Sequence, residues 1–187
     1  TVALSARETY WWRVEARVGF GRWLQSEIAR LNQAIALQVD GIVMDADAAS
    51  LQPQIKDASG ETWISRGQNF VVAYSKALQG GAFVRSAQAD EYAVIIPDAE
   101  TQVEITTEAG TEVVPGYSVV FVPPGNSTIR MLTAGTIVRL LTPKSADMAN
   151  AASNAAAFTD PHPNVPPFEA WPEPPGGLKL RWYTLDV

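Results

Sequence analysis

The central part of this 187-residue chain is a succession of short apolar segments separated by turn-forming residues. Glycine and proline end the segments, and no helical period of three to four residues runs through this part of the chain. Segments this short favour strands over helices. The residues from about 41 to 143 are therefore predicted to form an antiparallel β-sandwich or β-barrel. The predicted strands are residues 69–74, 91–96, 101–106, 118–122, 128–132 and 136–141.

One of these strands is framed by an unusual arrangement of glycine and proline. Gly116 opens a turn, a short apolar strand follows, and Pro123-Pro124-Gly125 ends it sharply. Each of these residue types marks a turn for a different reason, since glycine permits unusual backbone angles and proline donates no backbone hydrogen bond. This arrangement makes the strand and its two turns the best-defined unit of the predicted barrel.

The stretch from Gly116 to Thr128 resembles the second sequence motif of the cupin superfamily, which reads Gly, five residues, Pro-x-Gly, two residues, His. The match holds at Gly116 with one extra residue, at Pro123 and at Gly125, and Thr128 stands where the motif has histidine. The resemblance extends over roughly residues 65 to 143. It implies an all-β, mainly antiparallel fold, an RmlC-like jelly-roll barrel of the cupin type.

The first cupin motif, which contains His-x-His followed by a glutamate, implies three further positions. Glu91 matches the glutamate, while Arg85 and Ala87 stand at the two histidine positions. A transition metal in this fold needs about three imidazoles and a carboxylate, and arginine does not bind metals. The chain has no cysteine, and its single histidine is His162 in a proline-rich stretch. We therefore expect a divergent, metal-free cupin with no cofactor.

The residues at the former metal positions predict a different kind of site. If Glu91 points into the barrel, a strand period of two also turns Arg85 inward, and Arg130 on the opposing strand completes a charged cluster. One interpretation is a pocket for a small polar or carboxylate ligand of the sugar or sugar-acid class, with Glu91 as acid or base. The other is an internal salt bridge that replaces the metal. Further predicted pocket residues are Thr128, Gln88 and Tyr74.

The two ends of the chain differ from the barrel in composition. Residues 1–45 are predicted to be an aromatic extension with one amphipathic helix, and residues 46–143 to be the barrel. Residues 144–187 are predicted to form a short helix at 146–157, then a proline-rich arm that ends in a strand. That strand is expected to join a sheet edge of its own chain or of a partner. The apolar face of the N-terminal helix comprises Leu24, Ile28, Leu31 and Ile35.

Charge and hydropathy restrict the partners and the location. The net charge of −6 disfavours nucleic acid and anionic membranes, because both require a basic surface. No apolar run approaches the roughly 20 residues of a transmembrane helix. The sequence begins at Thr1 without the basic-then-apolar order of a signal peptide. The expected location is therefore the cytoplasm, with a small molecule rather than a macromolecular polyanion as ligand.

Three classes of function remain open, and the sequence does not decide whether any reaction is catalysed. A metal-free isomerase, epimerase or lyase predicts an accessible cavity around Glu91. A binding barrel predicts a cavity with Glu91 neutralised by arginine. A structural subunit predicts a filled barrel and a homodimer formed through the arm and the aromatic residues. The tryptophans expected in that interface are Trp11, Trp12, Trp171 and Trp182.

Overall fold

The computed structural model describes residues 52–160 and 173–185, and every structural statement below concerns these two ranges. They contain eleven β-strands, one α-helix and one turn of 3-10 helix at Ala155–Phe158. The strands are β1 Ile55–Asp57, β2 Gly60–Arg66, β3 Val71–Ala77, β4 Ala82–Gln88, β5 Tyr92–Ile96, β6 Gln102–Thr107, β7 Gly110–Pro115, β8 Ser118–Val122, β9 Gly125–Met131, β10 Gly135–Leu141 and β11 Arg181–Thr184, and the helix is α1 Ala146–Ala151.

The strands form two sheets in which every pair of neighbours is antiparallel. The larger sheet has the order β1-β2-β3-β10-β5-β8-β11, and the smaller has the order β4-β9-β6-β7. Strands that are distant in sequence lie side by side, as β3 and β10 do. This arrangement confirms the predicted all-β, mainly antiparallel cupin-type jelly roll.

The core lies between the two sheets and follows the two-residue period of the strands. In β10 the inward side chains of Ile137 and Leu141 are buried, whereas Val138 and Leu140 between them are only half-buried. β6 buries Val103 and leaves its neighbouring polar residues more exposed, as expected for a strand with one solvated face. The six predicted strands are confirmed within a few residues, and β8 has the predicted limits.

Four strands were not anticipated from the sequence. β1 is very short, and β2 and β7 contain charged and hydroxyl residues that weaken the apolar pattern, as in Glu61, Arg66 and Glu112. β4 contains Arg85 and ends at an irregularity, so its alternation is interrupted. In each of these strands the pairing partners, rather than the strand's own apolar content, decide the structure.

The C-terminal strand β11 pairs with β8 of the same chain, so the predicted edge addition takes place within one sheet. Trp182 is partly buried against this chain's own core, and its Nε1 donates a hydrogen bond to Glu112 at 3.1 Å. Its expected place in a dimer interface stays a prediction. The predicted helix at 146–157 is confirmed in part, because α1 ends at Ala151 and a 3-10 turn follows.

Several predictions concern residues outside the two described ranges. These are the N-terminal helix, the proline-rich stretch with His162, and Trp11, Trp12 and Trp171. Among the helices in the described ranges, none has the length and hydropathy needed to cross a membrane.

Candidate functional site

The site is organised by a bulge at the end of β4. Arg85 pairs with Ser127 of β9, but Gln88 pairs with Gly125, so the register shifts between Arg85 and Gln88. Ala87 adopts a φ of 50°, which is the left-handed region. The bulge interrupts the two-residue period, because an extra residue re-aims the side chains that follow it. Gln88 is therefore buried and Ala87 is exposed, so Arg85 and Ala87 do not form the inward pair that the sequence predicted.

Arg85 binds a carboxylate through both terminal nitrogens of its guanidinium. Nη2 donates to Oδ1 of Asp147 at 3.0 Å and Nη1 donates to Oδ2, while Nε donates to Oε1 of Gln88 at 2.9 Å. The Arg85 side chain is 10% exposed and that of Asp147 is 62% exposed. These hydrogen bonds from Arg85 hold the pKa of Asp147 below its ordinary value. We call Arg85, Gln88 and Asp147 the Arg85 site.

A polar network fixes the Arg85 site to the start of α1. The Gln88 amide donates to Oδ1 of Asp90 at 3.1 Å and to the Ser145 hydroxyl at 2.9 Å. The Thr142 hydroxyl donates to the other oxygen of Asp90 at 2.6 Å. Gln88 and Ser145 are both buried. Because buried polar groups with satisfied hydrogen bonds hold one geometry, the network positions Arg85 from two sides.

A second guanidinium lies inside the barrel. Arg139 on β10 is 5% exposed, its guanidinium lies 4.4 Å from the ring centroid of Phe83, and Nη2 donates to the Ser75 hydroxyl at 3.2 Å. Its Nε has no hydrogen-bond partner, and within the described ranges no carboxylate lies within ion-pair distance of it. Burial lowers the pKa of Arg139 to about 10.

A phenol lies in the field of both arginines. The Tyr92 hydroxyl is hydrogen-bonded to the Ser127 hydroxyl at 2.9 Å, and both residues are buried. Burial raises the pKa of Tyr92, whereas the Ser127 hydrogen bond and the charges of Arg139 and Arg85 oppose the increase. At neutral pH the region thus combines two positively charged guanidiniums with hydroxyl groups.

A depression of about 210 Å³ borders this region. Arg85, Ser127 and Thr128 contribute to its wall. It runs over the outer side of the small sheet, because the exposed side chain of Val84 and the half-buried Thr128 also line it. Much of the remaining wall can form hydrogen bonds with hydroxyl groups. These residues are Ser86, Thr106, Thr107, Glu108 and Asn126.

The predicted cluster of Arg85, Glu91 and Arg130 does not form. Glu91 precedes β5 and accepts a hydrogen bond from Nη2 of Arg181 at 2.6 Å. Arg130 has a 56% exposed side chain and lies 3.8 Å from Glu104. The predicted internal salt bridge between Arg85 and Glu91 is likewise wrong, since Arg85 pairs with Asp147.

The alternation of β9 explains the placement of Thr128 and Arg130. Ser127, Ile129 and Met131 are buried, so Thr128 and Arg130 lie on the opposite face of the strand. Thr128 lines the depression from that outer face. Tyr74 of β3 also faces outwards, with its ring 6.0 Å from that of Trp63, and does not line the depression. Of the predicted pocket residues, the structure therefore brings Arg85, Gln88 and Thr128 to one region.

The residues at the implied metal positions do not fit a transition metal. They are an arginine, an exposed alanine, a glutamate bound to Arg181 and an outward-facing threonine. In the part of the chain that the structure describes, no three acidic or histidine side chains come together in a group that could hold an ion. A guanidinium repels cations and donates no lone pair. This donor set is instead suited to anions.

The sequence did not single out Arg139, Asp147, Ser127 or Tyr92. The apolar residues Ile129 and Met131 were a usable signal for Ser127, because they fix the inward face of β9. For Arg139 the signal was ambiguous, since apolar residues occupy both faces of β10. No sequence pattern connects Asp147 to Arg85, which is 62 positions away.

Comparison with known proteins finds similarity among solved structures only. No protein-family profile and no curated protein match the sequence. An RmlC-like cupin from Shewanella frigidimarina is 16% identical over 52% of this chain and 90% of its own, with a TM-score of 0.43. KdgF from Halomonas sp. is 12% identical over 54% and 95%, with a TM-score of 0.44. A cupin domain from Bordetella pertussis is 14% identical over 47% and 97%, with a TM-score of 0.36. These likenesses concern the fold alone.

Proposed function

We propose that this protein is a metal-independent, cupin-like barrel that binds a small polar ligand through a carboxylate group at the Arg85 site. One observation carries the proposal, the two-point contact between Arg85 and the carboxylate of Asp147. Asp147 is the more exposed partner, so it stands in for the ligand group that would replace it. Planar two-point pairing is the geometry in which arginine recognises carboxylates.

The depression beside Arg85 supports a ligand that also carries hydroxyl groups. Threonine, serine and asparagine side chains in its wall can donate to and accept from a polyol. Glu108 also borders the depression, and its negative charge repels a carboxylate. The ligand carboxylate is therefore expected at Arg85 and its hydroxyl groups nearer Glu108. A ligand with a carboxylate at one end and hydroxyl groups at the other is consistent with the sugar-acid class expected from the sequence.

Catalysis is not part of the proposal. Glu91, the predicted acid or base, lies against Arg181 instead of the Arg85 site. The contact with Arg181 occupies this carboxylate, which suits a structural ion pair better than a catalytic role. The ion pair connects the start of β5 to β11 and so helps to hold the terminal strand. The homodimer and the cytoplasmic location stay predictions.

Affinity for a sugar acid is expected to depend on Arg85 and to increase when Asp147 is removed. With glucuronate as the probe, Arg85→Gln is expected to weaken binding at least about ten-fold, since hydrogen bonds to charged groups contribute about 1.5–3 kcal/mol. Asp147→Ala removes the competing carboxylate and is expected to strengthen binding several-fold. Isothermal titration calorimetry at constant ionic strength measures both changes.

The matched control is Arg130→Gln, which removes an arginine of the same sheet that is exposed on the outer face. It is expected to leave glucuronate affinity unchanged. Equal affinity in the native protein and Arg85→Gln, or weaker binding in Asp147→Ala, would contradict the proposed site.

A further inference from the structure

Arg85 and Glu108 are the two charged residues in the wall of the depression, and their charges have opposite signs. Arg85 is paired with Asp147. Glu108 has no such partner, because no lysine or arginine in the described ranges lies within ion-pair distance of its carboxylate. The negative charge of Glu108 is therefore available to a ligand in the depression, and the proposed binding of a carboxylate at Arg85 does not use it.

Asn126 positions the carboxylate of Glu108 relative to the Arg85 site. Its Oδ1 accepts a hydrogen bond from the backbone N–H of Ala87 at 2.9 Å, and its Nδ2 donates to Oε1 of Glu108 at 3.3 Å. Because the Ala87 N–H is a donor, the amide oxygen must face it, which leaves the amide nitrogen for the carboxylate. Ala87 lies in the bulge between Arg85 and Gln88. One amide side chain thus connects Glu108 to the bulge that shapes the Arg85 site.

Cross-strand pairing sets the separation between the two charged residues. Arg85 of β4 pairs with Ser127 of β9, and Ser127 pairs with Thr107 of β6, the residue before Glu108. Two strand spacings place the backbones of Arg85 and Glu108 about 10 Å apart. Both side chains border the same depression. This separation suits a ligand of the size of one sugar ring that carries a charged group on each side of the ring.

We propose that the ligand is a zwitterion of the amino sugar acid class, whose carboxylate binds Arg85 in place of Asp147 and whose ammonium group binds Glu108. This inference rests on the proposed function, since it assumes that a carboxylate binds at Arg85. An ammonium group donates charge-assisted hydrogen bonds to the Glu108 carboxylate, whereas a hydroxyl group leaves the charge of that carboxylate uncompensated. Glu108 repels a simple anion, but it attracts a ligand with this second, positive group.

The test compares glucosaminuronate with glucuronate, which differ only in an amine or a hydroxyl group on the ring carbon opposite the one that bears the carboxylate. The titrations are made at about pH 6, where such an amine is protonated. Calorimetry is expected to give about two- to five-fold tighter binding of glucosaminuronate, which is the range for an exposed ion pair. The preference is expected to decrease as salt is added, because exposed charges are screened.

Two variants show which carboxylate is responsible. Glu108→Gln is expected to remove the preference and to strengthen glucuronate binding slightly, because the charge that repels glucuronate is gone. The matched control is Glu104→Gln, which removes a carboxylate of the same strand that lies 3.8 Å from Arg130 and does not border the depression. It is expected to keep the preference, and so it separates the effect of Glu108 from that of the chain's net charge of −6.

The outcomes separate this inference from the proposed function. Equal affinity of the native protein for the two sugar acids, or a preference that survives Glu108→Gln, overturns the zwitterion inference and leaves the carboxylate site standing. Loss of the preference in Glu104→Gln also overturns it, because the general charge of the surface then explains the preference. If neither sugar acid binds, or if Arg85→Gln weakens the binding of neither, the proposed function itself fails and this inference fails with it.

Discussion

Replacing Arg139 with methionine is expected to raise the free energy of unfolding of the ligand-free protein by about 1–3 kcal/mol. Methionine has a similar length and fills irregular space, so it keeps most of the packing against Phe83. The replacement removes a charge that is 5% exposed and has no carboxylate partner in the described ranges.

The expected gain in the unfolding free energy of Arg139→Met depends on pH. Burial lowers the pKa of Arg139 from its ordinary value to about 10 in the folded protein, so above about pH 10 the unfolded chain binds the proton more strongly. The stability of the native protein therefore rises relative to that of Arg139→Met as the pH increases through about 10. Below pH 10 Arg139 is charged, so the full cost of burying its charge destabilises the native protein. Arg139→Met then has its largest advantage in unfolding free energy. Urea unfolding at neutral and alkaline pH measures the difference.

The control for this prediction is Arg130→Met, which changes an exposed arginine of β9. We expect its unfolding free energy to remain within about 0.5 kcal/mol of the native value, as is usual for surface substitutions. A loss of stability in Arg139→Met would contradict this prediction, because it would show that the guanidinium supports the core.

Gly116→Ala is expected to destabilise the protein by about 3 kcal/mol, because three backbone carbonyl groups surround this glycine. A β-carbon at Gly116 would lie 2.1 Å from the oxygen of Asp98 and 2.6 Å from those of Ala99 and Thr101. Backbone atoms cannot swing aside as the end of a side chain can, so the loop before β6 must move. Chemical denaturation measures the change in the free energy of unfolding.

Gly80→Ala is the matched comparison for Gly116→Ala. Gly80 has a φ of +81°, which a residue with a side chain adopts at a cost of about 1 kcal/mol, and a β-carbon there would meet no atom within 4 Å. Equal effects of the two substitutions would mean that the crowding at Gly116 is relieved easily. The larger expected loss at Gly116 explains why glycine opens this strand.

The barrel could be predicted from the sequence because turns and short apolar runs are local properties. β8 lies between Gly116 and Pro123, two residues that both end a strand for steric reasons, and its limits were predicted correctly. β9 and β10 were located within three residues at either end for the same reason. β2 and β7 were missed because their strand structure depends on pairing with neighbours, which a local pattern does not report.

The site was harder to predict because it depends on register and on distant contacts. The bulge between Arg85 and Gln88 cancels the two-residue period on which the inward cluster relied. Glu91 lies just outside the regular part of β5 and is bound by Arg181 from the far end of the chain. Arg85 was singled out from the sequence, but its carboxylate partner Asp147 comes from α1 and could not be found from a local pattern.

The most direct test of the account is a calorimetric titration of the purified protein with glucuronate in the presence of EDTA, accompanied by elemental analysis. The central claim is that the Arg85 guanidinium binds a carboxylate without a metal. We expect saturable binding that EDTA does not change and that Arg85→Gln weakens at least about ten-fold. Stoichiometric iron, nickel, zinc or manganese in the protein, together with binding that disappears on chelation, would contradict the claim.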